Sequence, residues 1–442
     1  MTHIFTINKV NIAHDVYSGA IHVLDGAAFN ILTEGSKIYP ADETAEAQKE
    51  IDALTACGQL FSKPRGNAKE ADTAFTQNRP QIVKSLCMHI AHECNLRCKY
   101  CFAGEGDYGA VAENERTVMT PETGKKAVDF LIAASGNRRN LEVDFFGGEP
   151  TLGFDTVKEV VDYARSREKA AGKNFRFTFT TNGLLLDDEK TDYINNNMNN
   201  VVLSLDGRKE TNDKMRTAKN GSGCYDKIVP KFKKLTEARS HENYYIRGTY
   251  TNENLNFSND VLHIADLGFK QISVEPVIGK KDASFAIREE HVKILCDEYE
   301  KLAVLMSKRK KNKFNFFHFM LDPEGGPCAA KRITGCGAGT EYLACTPEGD
   351  LYPCHQFVGS GQFKLGDINT GIVQTAWRER FMKCNVYTKP ECDACWAKFY
   401  CSGGCAANAY HVNGDIMKPD AIGCELQKKR IECAMYLLAV GG

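Results

Sequence analysis

No stretch of this 442-residue sequence stays apolar for the roughly 20 residues that a membrane-spanning helix needs. Neither sign of charge dominates, because 56 lysines and arginines stand against 57 aspartates and glutamates. That balance supplies no basic face for a phosphate backbone, so nucleic acid is not an expected partner. The opening "MTHIFTINKV" lacks the basic stretch and apolar core of a secretory signal. A cytoplasmic protein with no membrane association is therefore expected. Low-complexity tracts are also missing, and the length exceeds what one hydrophobic core usually organises, so two or three domains are expected.

Cysteine, in contrast, is abundant, with eighteen residues. Disulfides are rare in a reducing compartment, where clustered cysteines more often bind metal or take part in catalysis. Three lie in "ECNLRCKYCF" (93–102), as Cys94, Cys98 and Cys101, and ten lie from Cys328 to Cys424. Cys57, Cys87, Cys224, Cys296 and Cys433 are scattered and read as small buried hydrophobes.

The pattern divides the chain into three. Residues 1–80 hold a prelude of small strands and two helices, followed from about residue 62 by a polar, unpatterned linker ending near Pro80. Residues 81–312 alternate strands with helices. "SLCMHIAH", "LEVDFF", "FRFTFTT", "NVVLSL", "YYIRGTY" and "QISVEPV" read as six strands of a parallel sheet. The fold class is thus α/β, a partial (β/α)6 barrel, with ligands at the carboxyl ends of its strands. A helix over about 289–311 ends in the basic run "KRKKNK". Residues 313–442 show little periodicity, as expected of a region held by metal.

Three thiols from one loop can hold three corners of a cubic iron–sulfur cluster and leave its fourth iron open. Structural zinc, the rival reading, prefers four closed ligands, and this loop offers three. With Tyr100 before the last cysteine, the C-x3-C-x2-C motif resembles that of the radical S-adenosylmethionine (SAM) superfamily. The resemblance implies a 4Fe–4S cluster on Cys94, Cys98 and Cys101, with SAM chelating the unique iron. It also implies cofactor contacts from Gly147, Gly148 and Glu149 in "FFGGEP", Thr181 and Asn182 in "TTNG", Ser204 and Asp206 in "SLDG", and Arg216. Gly147 and Gly148 would let backbone approach the ligand, Glu149 would face the ammonium of SAM, Thr181 and Asn182 a ribose, and Arg216 the carboxylate. The implied chemistry is reductive cleavage of SAM to a 5′-deoxyadenosyl radical that takes a hydrogen atom from substrate, so the hard step belongs to the cofactors.

"TPEGDLYPC" and "CDACWAKFYCSGGC" resemble the SPASM extension of that superfamily. The resemblance implies an auxiliary 4Fe–4S cluster on Cys392, Cys395, Cys401 and Cys424. A second would use Cys336, Cys354 and Cys405, bringing the total to three clusters. The fourth ligand of the latter is open between Cys328, Cys345 and a vacant iron for substrate, and Cys384 has no slot. Two zinc sites are the rival reading of these thiols.

The prelude resembles the winged-helix recognition element that binds leader peptides. "EGGPC", "CGAG" and "CSGGCAANAYHVNGDI" resemble maturases of SCIFF peptides, precursors with six cysteines in forty-five residues. This implies thioether formation between a cysteine sulfur and a carbon of a cysteine-rich precursor peptide that carries a leader. A flavodoxin- or ferredoxin-type protein would supply the single electron. The alternatives are a formylglycine-forming sulfatase maturase or a carbon–carbon crosslinking enzyme. No general base stands out, Glu275 and His355 being candidates.

Overall fold

The computed structural model describes residues 1–64, 66–78, 81–109, 117–322 and 329–441. The chain opens with an antiparallel sheet of β1 (Thr2–Ile7), β2 (Val10–Asp15) and β3 (Ile21–Leu24), in the order β1-β2-β3. Asn8 and Lys9 both take positive φ in the two-residue hairpin between β1 and β2, the geometry that matches strand twist. Helices Gly26–Leu32 and Ala41–Ala56 close a small core of Ala13, Ala28, Ala47 and Ile51. The stretch expected to be linker instead contains a helix, Ala68–Asn78. Its starting signal is Asn67, whose side chain accepts from the Glu70 N–H.

The six expected strands form. They are β4 (Ser85–Ala91), β6 (Asn140–Gly147), β7 (Asn174–Thr181), β8 (Asn200–Ser204), β10 (Tyr244–Tyr250) and β11 (Gln271–Pro276), all parallel to their neighbours. Between them, β5 (Leu96–Cys98) and β9 (Arg216–Ala218) leave the sheet and pair with each other. Helices Pro121–Ala134, Phe154–Ala171, Asp188–Asn197, Tyr225–Ala238 and Phe257–Asp266 pack over the sheet. Asp188–Asn197 escapes the apolar pattern because only Thr191 and Ile194 are buried, and Asp187 caps it. The long helix ends at Lys308, short of the expected 311, because Arg309 is extended.

The last third is more ordered than its pattern suggests. β12 (Asn315–Phe316) extends the sheet beside β11, and β13 (Tyr342–Cys345) joins the opposite edge, parallel to β4. β14 (Asp350–Tyr352), β15 (Gly366–Asp367) and β16 (Gly371–Ile372) follow antiparallel, so one sheet of eleven strands runs from barrel into cysteine-rich region. A 19-residue helix, Ala421–Ala439, packs along Glu289–Lys308. Its buried residues, Leu426, Arg430, Ile431 and Cys433 to Leu437, occupy several faces rather than one stripe, which hides it from a periodicity reading. Among the described residues no helix is long and apolar enough to cross a membrane.

Candidate active site

The loop carrying Cys94, Cys98 and Cys101 leaves the carboxyl end of β4 and is gripped from two sides. On one, the β5–β9 ribbon sets Cys98 opposite Arg216. On the other, the Gly148 N–H donates to the Ala91 carbonyl at 2.8 Å and the Glu149 N–H to that of Glu93 at 2.9 Å. Both glycines serve this grip. At Gly147 (φ +122°) a Cβ would stand 2.5 Å from the Ala91 carbonyl oxygen, and at Gly148 it would collide with that of Glu93. The close approach expected toward a ligand is thus made toward the cysteine loop. Gly148→Ala sets backbone against backbone, so this loop must shift. We expect at least about a tenfold loss of SAM cleavage, checked by 5′-deoxyadenosine formation, since small displacements of a reacting centre cost this much or more.

The three thiols line one cavity with Gly147, Gly148 and Glu149 from β6, Thr181 and Asn182 from β7, Ser204 from β8, and Tyr100 and Arg216. Burial pushes the Cys94 thiol up to about 11, with the Glu149 carboxylate adding to the effect. Burial likewise raises Cys98 to about 12 against the Arg216 guanidinium, with Cys101 and Cys94 adding their repulsion. Iron would give Cys94 and Cys98 the counter-charge their surroundings lack, and coordination would remove the thiol protons. Among the described residues no three His, Cys, Asp or Glu side chains converge as one metal ion requires. A cubane asks for less convergence, because each thiolate binds a different iron.

Glu149 is buried beneath the cavity wall. Its Oε1 accepts from the Thr181 hydroxyl (2.7 Å), the Thr151 hydroxyl (2.7 Å) and the Thr151 N–H, and its Oε2 from the Asn182 N–H at 2.8 Å. Burial pushes its carboxyl up while these four donors pull it back. Thr181 is therefore turned to Glu149, and the Asn182 side chain is engaged by Asn95 (2.8 Å) and the Leu184 N–H. The two groups expected at a ribose are thus both spent on protein partners.

Tyr100, Asp206 and Arg216 form a buried chain. The Tyr100 hydroxyl donates to Asp206 at 2.6 Å, Arg216 donates to Tyr100 at 2.7 Å, and Arg216 lies 3.7 Å from Asp206. Asp206 also accepts from the Thr249 N–H and is absent from the cavity lining, so it clamps Tyr100 and Arg216 instead of facing a ligand. Burial pushes the Asp206 carboxyl up, opposed by Arg216 and Tyr100. Two buried donors, Arg216 Nε and Asn95 Nδ2, have no partner among the described residues. Arg216 lines the cavity, so an anionic ligand group there would satisfy a donor that the protein leaves open. The thiol triad and this unspent guanidinium fit a cluster together with SAM.

Residues 88–256 match the sequence profile of the Radical SAM superfamily. Over that span the chain is similar to the radical SAM superfamily. That similarity implies SAM and a 4Fe–4S cluster as cofactors. The chain is similar to the antilisterial bacteriocin subtilosin biosynthesis protein AlbA of Bacillus subtilis, at 24% identity over 88% of this chain and 84% of AlbA. Among solved structures, anSMEcpe with bound AdoMet and Kp18Cys peptide superposes with a TM-score of 0.64 at 20% identity, covering 80% of this chain and 98% of anSMEcpe. Streptococcus suis SuiB bound to S-adenosylmethionine superposes with a TM-score of 0.56 at 17% identity, covering 96% of this chain and 98% of SuiB. Both share the radical SAM α/β fold.

Arg247 of β10 escaped the sequence reading. It lines this cavity and faces Glu275 of β11, a residue the sequence did single out, as an ion pair at 2.9 Å. Burial works against the Glu275 charge, yet the Arg247 guanidinium holds its carboxyl well below the usual range, so the pair is ionised. The one signal was a charge inside "YYIRGTY", on the face opposite the buried Tyr244, Ile246, Gly248 and Tyr250. His355, the other candidate, stacks near Phe102 and Phe146 and meets the Tyr342 hydroxyl through Nδ1 at 3.2 Å. Burial lowers it to about 4, so it is neutral at neutral pH.

Seven of the remaining thiols fall into two groups, and every described cysteine is free. Burial, then the charges of Cys405 and Cys336, push Cys354 well up, so these three are neighbours. Burial raises Cys424 to about 12, with Cys401, Cys392 and Cys395 adding their repulsion. Cys345 stays out of both groups. It is fully buried on β13, donates to the Thr346 carbonyl and has Asp350 and Glu348 as its charged neighbours. Cys328 lies outside the described residues. Cys384 is buried and donates to the Ile416 carbonyl at 3.3 Å, a packing role. Of the scattered five, Cys87, Cys224 and Cys433 are buried as expected, Cys296 is half-buried and Cys57 is exposed.

Proposed function

We propose that this protein is a peptide maturase that joins a cysteine sulfur to a carbon of a cysteine-rich precursor, forming a thioether. The carrying observation is the company the cavity keeps: a SAM-type thiol triad at one end, and His355, adjacent to Cys354 of a second thiol group, in its wall. In this reading Cys94, Cys98 and Cys101 hold the cluster that binds SAM, and Arg216 and Glu149 orient the amino acid part of SAM. Cys336, Cys354 and Cys405 hold one auxiliary cluster, and Cys392, Cys395, Cys401 and Cys424 the other. Bound SAM supplies, on one-electron reduction, an agent that removes a hydrogen atom from an unactivated carbon. Replacing S–H and C–H by S–C releases, besides that hydrogen atom, one proton and one electron. Auxiliary clusters held by these thiols would accept that electron, and metal coordination would deprotonate the substrate thiol. The chain's own residues do the rest. The Tyr100–Asp206–Arg216 chain fixes the loop, and Phe102 and Phe146 exclude water from the wall of the cavity.

The N-terminal module supports the peptide reading. β3 is an edge strand with Val23 59% exposed, and we assign its free edge to pairing with a leader peptide. SuiB, which has been seen bound to the precursor peptide SuiA, covers 94% of this chain. The anSMEcpe match leaves a fifth of this chain uncovered, about the length of the N-terminal module. A flavodoxin or ferredoxin is the proposed electron donor. The test is co-expression with a small cysteine-rich open reading frame and tandem mass spectrometry of the product. Each thioether is expected to remove two hydrogens and consume one cysteine thiol. Loss of a cysteine sulfur with aldehyde formation would favour formylglycine chemistry instead, and an unmodified peptide would refute the reading.

A further inference from the structure

The segment bearing Cys392, Cys395 and Cys401 is short on structure of its own, with single helical turns at Pro390–Asp393 and Lys398–Cys401. Its large side chains serve the N-terminal module instead. Trp396, next to Cys395, lies flat on His3, with ring centroids 3.7 Å apart and planes 6° from parallel. His14 meets the edges of Trp396 and of Tyr400, which precedes Cys401. Phe399 touches Tyr17, and the buried Lys398 ammonium lies 5.2 Å over the Tyr17 ring. Phe5 and Ile21 of the module join Cys395 and Cys401 around a core of Ala397, Ile431 and Met435. The helix that completes this seat starts beside Cys424 and holds His3 through Glu432 at 2.9 Å.

We propose that the thiol group Cys392, Cys395, Cys401 and Cys424 has a structural function beyond electron transfer: iron bound there keeps the seat of the N-terminal module folded. The inference rests on the reading of these four thiols as an iron–sulfur site. The physical argument is the one that holds for small metal-bound loops. The segment's backbone hydrogen bonds close only single turns and its aromatics face the module; it therefore gains order from its ligands, so metal binding and local folding are coupled. Releasing the ligands loosens the ring faces on which His3, His14 and Tyr17 rest. Loading of this site would then govern whether the module stands where a captured peptide can reach the cavity.

The test is amide hydrogen exchange on the iron-loaded full chain, measured beside iron and sulfide content. Cys395→Ala is expected to lower iron content and to speed exchange in residues 2–15 at least roughly tenfold, leaving β6–β8 unchanged. Trp396→Ala, which breaks the seat without touching a thiol, is expected to keep its iron and show the same rise. Cys101→Ala is expected to lose iron without it. Should the alanine form of Cys395 open throughout, Cys395→Ser carries the same comparison. Iron retained in full by the Cys395 variants would overturn the cluster reading. Iron lost with residues 2–15 still protected would overturn the inference itself.

Discussion

Alanine at Cys98 is expected to abolish 5′-deoxyadenosine formation, a loss of at least roughly a thousandfold, the scale seen when one member of an essential catalytic unit is removed. The argument is geometric. Cys98 is both a proposed corner of the cluster and the residue that pairs with Arg216 across the β5–β9 ribbon. Its removal leaves two thiols in a loop with no nearby fourth, and an iron with no protein ligand is lost. Stability should change less than activity, because Cys98 is half-buried and the ribbon's backbone bonds remain. Iron content and 5′-deoxyadenosine, measured on one preparation, check the prediction. A variant that kept full iron and full SAM cleavage would show that the triad is misassigned.

The second large effect falls on stability. Asp206→Ala should cost about 3–5 kcal/mol, because it strands the buried Arg216 guanidinium beside a Tyr100 hydroxyl that has also lost its acceptor. The Thr249 N–H loses its partner as well. Chemical denaturation of the iron-loaded protein reads this as a lower midpoint at unchanged slope. Asp206→Asn retains an acceptor for Tyr100 and is expected to lose less. If the two variants were equally stable, the carboxylate's charge would play no part in the clamp.

How far these features could be seen in the sequence depends on how local their causes are. The six barrel strands announced themselves because each is a short β-rich run bounded by turn residues, and their ends carry "GGEP", "TTNG" and "SLDG". The spacing of the thiols is a local property and so was visible in the sequence. The pairing of β13, which carries Cys345, with β4 is a long-range event that no spacing records. Gly147 and Gly148 were recognised as close-approach positions, yet what approaches them, the backbone of residues 91 and 93, is set by the packing of β6 against the cysteine loop. Arg247 and Glu275 are strand residues without a motif, and only the parallel pairing of β10 and β11 brings them together. The helix Ala421–Ala439 stayed hidden because it is buried on several sides. The docking of His3 on Trp396 joins positions almost 400 residues apart, beyond the reach of any local signal.

The account's central claim is that the loop of Cys94, Cys98 and Cys101 keeps one iron free of protein and gives it to SAM. Electron paramagnetic resonance of the anaerobically reduced protein, recorded with and without SAM, tests this most directly. The account predicts that SAM shifts the signal of one cluster and that the Cys98→Ala protein lacks the shifting component. Spectra that ignore SAM in a fully iron-loaded wild-type protein, or a shift that survives in Cys98→Ala, would contradict it.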